Sequence, residues 1–575
     1  MSHEIKITHH VSYLIRTILV GLLSLLAATA WESGSVPQTA TLKIHVVDAS
    51  TSNGLPCRIT IVDQQNAPPV ISVLPGQQLA VRPGVVYTSN GQVDLSLPPG
   101  NYTIYATRGP AYSLGKQMLG VSSGSAHQVK LSLRHEVPTE NLVSCDTHIH
   151  TLTHSRHGDA TLDERVITLA GEGIELPIVT EHNLLADYSE AAKGLGVDSY
   201  FTPVVGVEVT TKKGHFNVFP VQMSSKAPDS TIEDWPQLMR SIRSTPGVGF
   251  IILNHPRDLH SNFRPFDPAN FNAVTGENLR GTAFSFDAME VINSSALQSD
   301  YWRLYKDWFA LLNYGYRITA VGSSDSHDVS EYIVGQGRTY IVCNDKNPGQ
   351  IDINEAVRNL QSGRALVSLG LLTKIKVNRQ FSVGDLATKL GKTMAVEVVV
   401  NGPSWLSADR VELFANGVKI REQHLSSRSG AVEKARIKWV IPKPKHDVHL
   451  VAIATGPGKT TPYWPIHPPY QPTLPVWNPL VIGSTNPVWV DADGDGAFTP
   501  ARRYAEILVQ RFGTDPTKLI PALSSYDKAI AAQAAAICQA QGQNVRGPQF
   551  ARLINAAQKP VRDGFAAFIA TLQSN

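Results

Sequence analysis

Six apolar runs spread over almost two hundred positions each close on a short cluster of His, Asp or Glu, and this recurrence limits the possible folds more than any other feature. The first run ends in Cys145-Asp146-Thr147-His148-Ile149-His150. Two histidines two apart on a strand point to one face and can grip one ion. With 19 histidines in 575 residues, about one His-x-His pair arises by chance, so the other runs decide. They are Leu176–Thr180 before Glu181-His182-Asn183, Val204–Val207 before Glu208, Gly249–Leu253 before Asn254-His255-Pro256, Met289 and Val291 around Glu290, and Ile318–Gly322 before Asp325-Ser326-His327.

Helical patterns separate these runs. Thr161-Leu162-Asp163-Glu164 has the form of a capping box and opens an amphipathic stretch, and similar patterns lie at Ile232–Ser244, Tyr301–Asn313 and Ile353–Gln361. Strands alternating with helices imply a parallel sheet or barrel whose sites sit at the carboxyl ends of the strands. The polar clusters should therefore converge. Imidazoles bind first-row divalent metals, carboxylates can bridge two of them, and two ions about 4 Å apart can share a hydroxide that attacks an ester-like centre. Nine residues suit that role: His148, His150, Asp159, His182, Glu208, His215, His255, Asp325 and His327.

At these positions the sequence resembles the PHP (polymerase and histidinol phosphatase) superfamily of metal-dependent hydrolases. The motifs are D-T-H-I-H at 146–150, T-E-H-N at 180–183, G-V-E-V-T-T-K-K-G-H at 206–215, N-H-P at 254–256 and S-D-S-H at 324–327. H-G-D-A and A-G-E-G-I-E-L-P-I, with the flanking regions, resemble the exported bacterial metallohydrolases that include carbaryl (N-methylcarbamate) hydrolases. The resemblance implies a distorted (β/α)7 barrel over residues 143–370 and two or three divalent ions, zinc first, with manganese or iron as alternatives. It implies one ion on His148, His150, Glu208 and Asp325, a second on Glu208, His215 and His255, and a third on Asp159, His182 and His327. His154-Ser155-Arg156-His157 lengthens the segment before Asp159, so His157 is an alternative ligand there, and Glu181 stands where the family more often has Asp.

The flanks read differently. Residues 1–30 carry Lys6, Arg16, an apolar run from Ile18 and Ala28-Thr29-Ala30, the form of a cleaved secretory signal, and the run is shorter than the ~20 residues of a bilayer span. A periplasmic or secreted protein with no stable membrane span is expected. Residues 40–135 read as a β-sandwich that loosely resembles carboxypeptidase-regulatory-like modules, and residues 371–455 as a second sandwich. A Pro-rich, aromatic wrap from Thr461 to Pro475 is expected to border other domains or the site. Asp491, Asp493 and Asp495 start a calcium-type loop, with Arg502 where a bidentate Glu is wanted. Residues 516–575 form a helical tail. The four cysteines lack metal or framework spacing, and a net charge of +3 without basic runs leaves no nucleic-acid footprint.

The expected activity is metal-dependent hydrolysis of a small-molecule carbamate or carboxylic ester, with Asp325 and His327 moving the proton. A phosphoesterase is the alternative, for which Arg257, Lys212 and Lys213 are the candidate phosphate-holding cations. Phe216, Phe219, Phe263, Phe266 and Trp302 are candidates for an apolar leaving-group pocket. A secreted binding protein with structural metals is the reading from another class.

Overall fold

Leu142–Ile149 is buried along its whole length, as a strand covered on both faces must be. The computed structural model describes residues 39–259, 261–296, 300–426, 430–471 and 475–572. The expected signal segment and His260 lie outside them. Leu142–Ile149 runs parallel to Leu176–Val179, which runs parallel to Val204–Val205. Between the first two, Leu162–Gly171 is a helix opened by the Thr161/Glu164 capping box.

A second, curled sheet has the order Val207–Thr211, Gly214–Phe219, Phe250–Leu253, Ala288–Asn293, Thr319–Ser323, and its last three strands are parallel. Single bridges at His182–Glu208 and Ile149–Ser326 join the two sheets. Strand ends from both therefore face one mouth. The class is mixed α/β, with departures from uninterrupted alternation. Only Lys212-Lys213 separates Val207–Thr211 from Gly214–Phe219, too short for a crossover helix, so the pair is an antiparallel hairpin. Arg338–Val342 also pairs antiparallel with Leu142–Ile149.

In the N-terminal region a four-stranded and a five-stranded sheet close over Leu42, Ile59, Ile61, Leu95 and Ile104. The later strands are not set apart from the preceding α/β region by a break near residue 370. Ala365–Leu369 pairs with Leu480–Thr485, which pairs with Val448–Pro457, so one sheet runs through both regions. Leu480–Thr485, between the Pro-rich wrap and the acidic loop, is thus a central strand. The C-terminal helices share their own core, including Ile530, Ala534, Phe550 and Phe565. Gly564 lets two of them touch, since a Cβ there would sit 2.6 Å from that of Ala531.

Candidate metal centre

The strand geometry explains how distant residues meet. His148 and His150 share a face of Leu142–Ile149 and its end, and Asp325 N–H donates to the His148 carbonyl (2.8 Å) while His150 N–H donates to that of Ser326 (3.1 Å). In the hairpin Thr210 pairs with His215, so Glu208, two residues before Thr210, projects on the same face as His215. His182 follows Leu176–Val179, His255 follows Phe250–Leu253, and Asp325 and His327 follow Thr319–Ser323. Asp325 has φ 53°, a left-handed backbone that costs a non-glycine residue about 1 kcal/mol or more and is tolerated here to aim its carboxylate.

Glu208, wholly buried, is the hub. Its Oε1 lies 3.2 Å from His148 Nε2, 3.1 Å from His215 Nδ1 and 3.6 Å from His255 Nε2; its Oε2 lies 2.6 Å from His182 Nδ1 and 3.8 Å from His150 Nε2. Asp325 Oδ1 lies 3.3 Å from both His148 Nε2 and His150 Nε2. Three groups have ligand atoms mutually within 4.8 Å: His148, Glu208 and His255; His148, His150 and Asp325; His150, His182 and His327. These buried clusters could hold metal ions. The donor set fits, because Nε2 of His148, His150 and His327 is buried and makes no hydrogen bond, the state of a ring nitrogen kept as a ligand.

Charge is divided within the cluster. Burial opposes ionisation of Glu208, yet the His215, His148 and His182 rings hold its carboxyl well below the usual range. Burial is likewise overcome at Asp325, chiefly by His148, and that carboxyl also stays well below its ordinary value. Burial and the neighbouring His182 push His150 down to about 3, and burial with His150 keeps His327 well below the ordinary imidazole value. Both are neutral, as ligands must be. His148 is raised despite burial by Asp325, Glu290 and Glu208, and His255 rises to about 9 despite burial through Glu208, Asp258 and Asp325.

Two residues outside the nine complete the site. Glu290 accepts from His148 Nδ1 (2.7 Å), Ser323 Oγ (2.5 Å), the His255 N–H (2.7 Å) and Asn293 Nδ2 (3.0 Å). It stood in the sequence as the polar residue of a strand end, but nothing in the pattern marked it as supporting a ligand. Tyr470 places its hydroxyl 3.3 Å from Asp325 Oδ2, and with Gln471 it borders the cavity above the cluster, as the aromatic wrap suggested. That cavity measures 540 Å³ and is lined by imidazoles, carboxylates, Thr210, Tyr470 and Gln471, with no Lys or Arg among the described residues. A second cavity of 490 Å³ adjoins it through Thr210 and His215.

Several expected residues lie elsewhere. The Asp159 carboxylate is drawn away by Arg82 of the N-terminal sandwich (2.8 Å) and by the Val329 N–H (2.7 Å), and His157 instead stacks on His327 and His182 with ring centroids 4.2 and 4.8 Å apart. Gly158 makes this possible, since a Cβ there would fall 2.4 Å from the His327 carbonyl oxygen. Arg257 does not face the cavity; it is buried in a two-pronged pair with Asp307 (2.8 and 2.6 Å). Lys212 and Lys213 pair with Glu233. Phe216, Phe219 and Phe266 are core, Trp302 packs on Phe414, and Phe263 lies under Lys213 and Arg280. None of the five lines the cavity. The longer Glu181 reaches past the cluster to Thr151 (2.6 Å), Ser155 (2.5 Å) and Tyr188 (2.5 Å). In the acidic loop Asp447 joins Asp491 and Asp493, while Asp495 turns outward to the Ala497 N–H. Backbone N–H groups of Ala492, Gly494, Gly496 and Thr499 already satisfy Asp447 and Asp491.

No protein-family model matches this sequence, and no curated protein does. Among solved structures, an FMN-binding beta-glucuronidase from Facaelibacterium prausnitzii L2-6 aligns over 69% of this chain and 67% of its own at 11% identity, with a TM-score of 0.17. A likeness that slight bears on neither fold nor activity.

Proposed function

We propose that the protein is a metal-dependent hydrolase of the PHP type, acting on a neutral carbonyl ester or carbamate, on a (β/α)7-type barrel. The observation that carries this reading is the convergence of His148, His150, His182, His215, His255, His327, Glu208 and Asp325 at the floor of an open cavity, with three buried ring nitrogens left without hydrogen bonds. A structural zinc site is closed and mononuclear, whereas this one is wide and faces solvent. An exported location belongs to the same proposal; among the described residues no helix is long and apolar enough to cross a membrane.

His148, His150, Glu208 and Asp325 would hold one cation, with Glu208 shared by His215 and His255, and His182, His327 and the rim residue His157 gathered around a further one. Bound divalent cations supply Lewis acidity and lower the pKa of water. Asp325 takes the proton that the attacking water loses and returns it to the leaving oxygen. Thr210 braces Glu208 and His182 through its hydroxyl, 3.2 Å from Glu208 Oε2 and 2.8 Å from His182 Nδ1. A neutral substrate is favoured over a phosphoester because no Lys or Arg among the described residues lines the cavity, Arg257 being paired with Asp307 and Lys212 and Lys213 with Glu233.

The test is elemental analysis with parallel assays on 1-naphthyl N-methylcarbamate, 1-naphthyl acetate and 4-nitrophenyl phosphate, before and after chelation. Hydrolysis of the first two, abolished by chelator and restored by divalent metal, is expected. Full turnover by metal-free protein would reject the reading, and preference for the phosphate would move it to the phosphoesterase class.

A further inference from the structure

The cavity is completed from outside the barrel. Residues 465–471 run across its mouth and are tied down at four points: Gln336 Nε2 donates to the Pro465 carbonyl (2.8 Å), Tyr332 Oη to that of Pro468 (3.2 Å), the Tyr470 N–H to that of Ser295 (3.1 Å), and the Leu259 N–H to Gln471 Oε1 (3.1 Å). Two of these anchors, Gln336 and Ser295, are themselves buried. Such fastening exceeds what a loop needs merely to pass over a surface. Its effect is to hold one hydroxyl, that of Tyr470, over the cluster.

We propose that Tyr470 is a catalytic hydrogen-bond donor to the substrate oxygen that gains charge during hydrolysis. The proposal rests on the hydrolase reading above. Among the described residues Tyr470 is the one phenol in the cavity lining, which otherwise offers imidazoles, carboxylates, the Gln471 carboxamide tied through its oxygen to the Leu259 N–H, and the Thr210 hydroxyl already engaged with Glu208 and His182. Tyr470 is 47% exposed as a residue at the mouth while its hydroxyl reaches Asp325 Oδ2, so it spans the entrance and the reacting floor. A phenol O–H turns about its C–O bond, and the proton that serves Asp325 in the resting protein can serve an oxygen entering the cavity.

In the step considered, the water oxygen forms a bond to the carbonyl carbon and the π pair moves onto the carbonyl oxygen. Tyr470 donates a hydrogen bond to that oxygen and keeps its proton. The pair then returns, the bond to the leaving oxygen breaks, and the leaving oxygen takes the proton that the water lost. A donor aimed where charge develops acts on the transition state rather than on substrate binding.

The experiment compares wild type, Tyr470→Phe and Gln336→Ala in metal-loaded protein. The Phe variant keeps the ring and removes one O–H. Its kcat on 4-nitrophenyl acetate should fall about 100-fold, the usual cost of losing one such donor, with KM changed less than about threefold. Calorimetric affinity for 4-nitrophenyl methylphosphonate, a tetrahedral probe, should fall in parallel, while metal content and melting temperature stay at wild-type values. Gln336→Ala, which loosens the segment without touching the hydroxyl, should show part of the same kcat loss. Wild-type kcat and wild-type phosphonate affinity in Tyr470→Phe would overturn the assignment, as would a loss that follows metal content. If wild type hydrolyses neither ester nor carbamate, the hydrolase reading fails, and an unchanged phosphonate affinity then disposes of Tyr470 as well.

Discussion

Glu290→Gln is the substitution whose outcome the structure constrains most closely. The wholly buried carboxylate accepts four hydrogen bonds, two on each oxygen: from His148 Nδ1 and Ser323 on Oε1, and from the His255 N–H and Asn293 on Oε2. A carboxamide has the same shape but one accepting end. With its oxygen towards His148, its NH2 meets the His255 and Asn293 donors head-on. Turned over, it donates to His148 Nδ1 and drives that ring to the tautomer with hydrogen on Nε2, the atom 3.2 to 3.3 Å from Glu208 and Asp325. Two effects then oppose each other in metal binding. Loss of a negative neighbour lowers the His148 pKa and leaves fewer protons to displace, which helps; loss of ring orientation and basicity hurts. Replacing the carboxylate behind a ligating histidine typically weakens metal affinity 10–100-fold, about 1.4–2.8 kcal/mol, so the second effect should win. Competition against a chromophoric chelator measures it directly. The variant should bind about 10–100-fold more weakly yet turn over within a few-fold of wild type when metal is saturating. Affinity within threefold of wild type would refute the argument that Glu290 sets the His148 tautomer.

Glu208→Ala should be the most damaging single change, abolishing stoichiometric metal and all hydrolysis, since one carboxylate serves His148, His182, His215 and His255; elemental analysis of the purified variant tests this. Asp159→Asn should leave metal content and kcat unchanged, because Arg82 and Val329 hold that carboxylate, and lost metal would restore it as a ligand. Metal binding should release protons. His148 and His255 are raised in the metal-free protein, His255 to about 9, so their stabilising contribution is fully present below the unfolded value near 6.5, and that of His255 is lost as pH rises through about 9. Apparent metal affinity should rise over the same window, up to tenfold per pH unit for each proton displaced. Calorimetry in buffers of different ionisation enthalpy reads the proton count, and a count of zero at pH 7 would contradict these shifts.

Local signals were legible where one segment determines its own structure. The helices expected at 301–313 and 353–361 lie at Tyr301–Tyr314 and Ile353–Gln361, the first ended by Gly315 with φ 122°. The convergence of histidines was legible too, because strand ends meet at one mouth whatever the loops do. What a side chain pairs with over long range was not. Asp159 and Arg82 are 77 residues apart, and Arg257 and Asp307 are 50 apart, so neither partner announces the other. Leu480–Thr485 is short and follows a Pro-rich stretch, and only its pairing with Ala365–Leu369 makes it central. Tyr470 lies 145 residues beyond Asp325, in a segment without regular structure, where only aromatic content hinted at its place.

The choice between neutral and anionic substrates turns on cations that are present but withdrawn, and one of the two pairs can be released without touching the cluster. Glu233 holds Lys212 and Lys213 at 3.2 and 3.4 Å, and Thr210, Thr211, Lys212 and Glu233 line the second cavity, which meets the first at Thr210 and His215. Arg257 is a poorer lever, since removing Asp307 would strand a buried charge and unfold the region before it changed specificity. Glu233→Gln frees both lysines at the solvent edge, where screening limits what they contribute. If the cavity favours neutral esters because it lacks free lysine and arginine, the ratio of kcat/KM for 4-nitrophenyl phosphate to that for 4-nitrophenyl acetate should rise about 3- to 10-fold in this variant at low salt, and the gain should shrink at high salt. Metal content should not change, since neither lysine nor Glu233 belongs to the three ligand groups. An unaltered ratio at low salt would mean that substrate charge is read by the histidine and carboxylate floor alone.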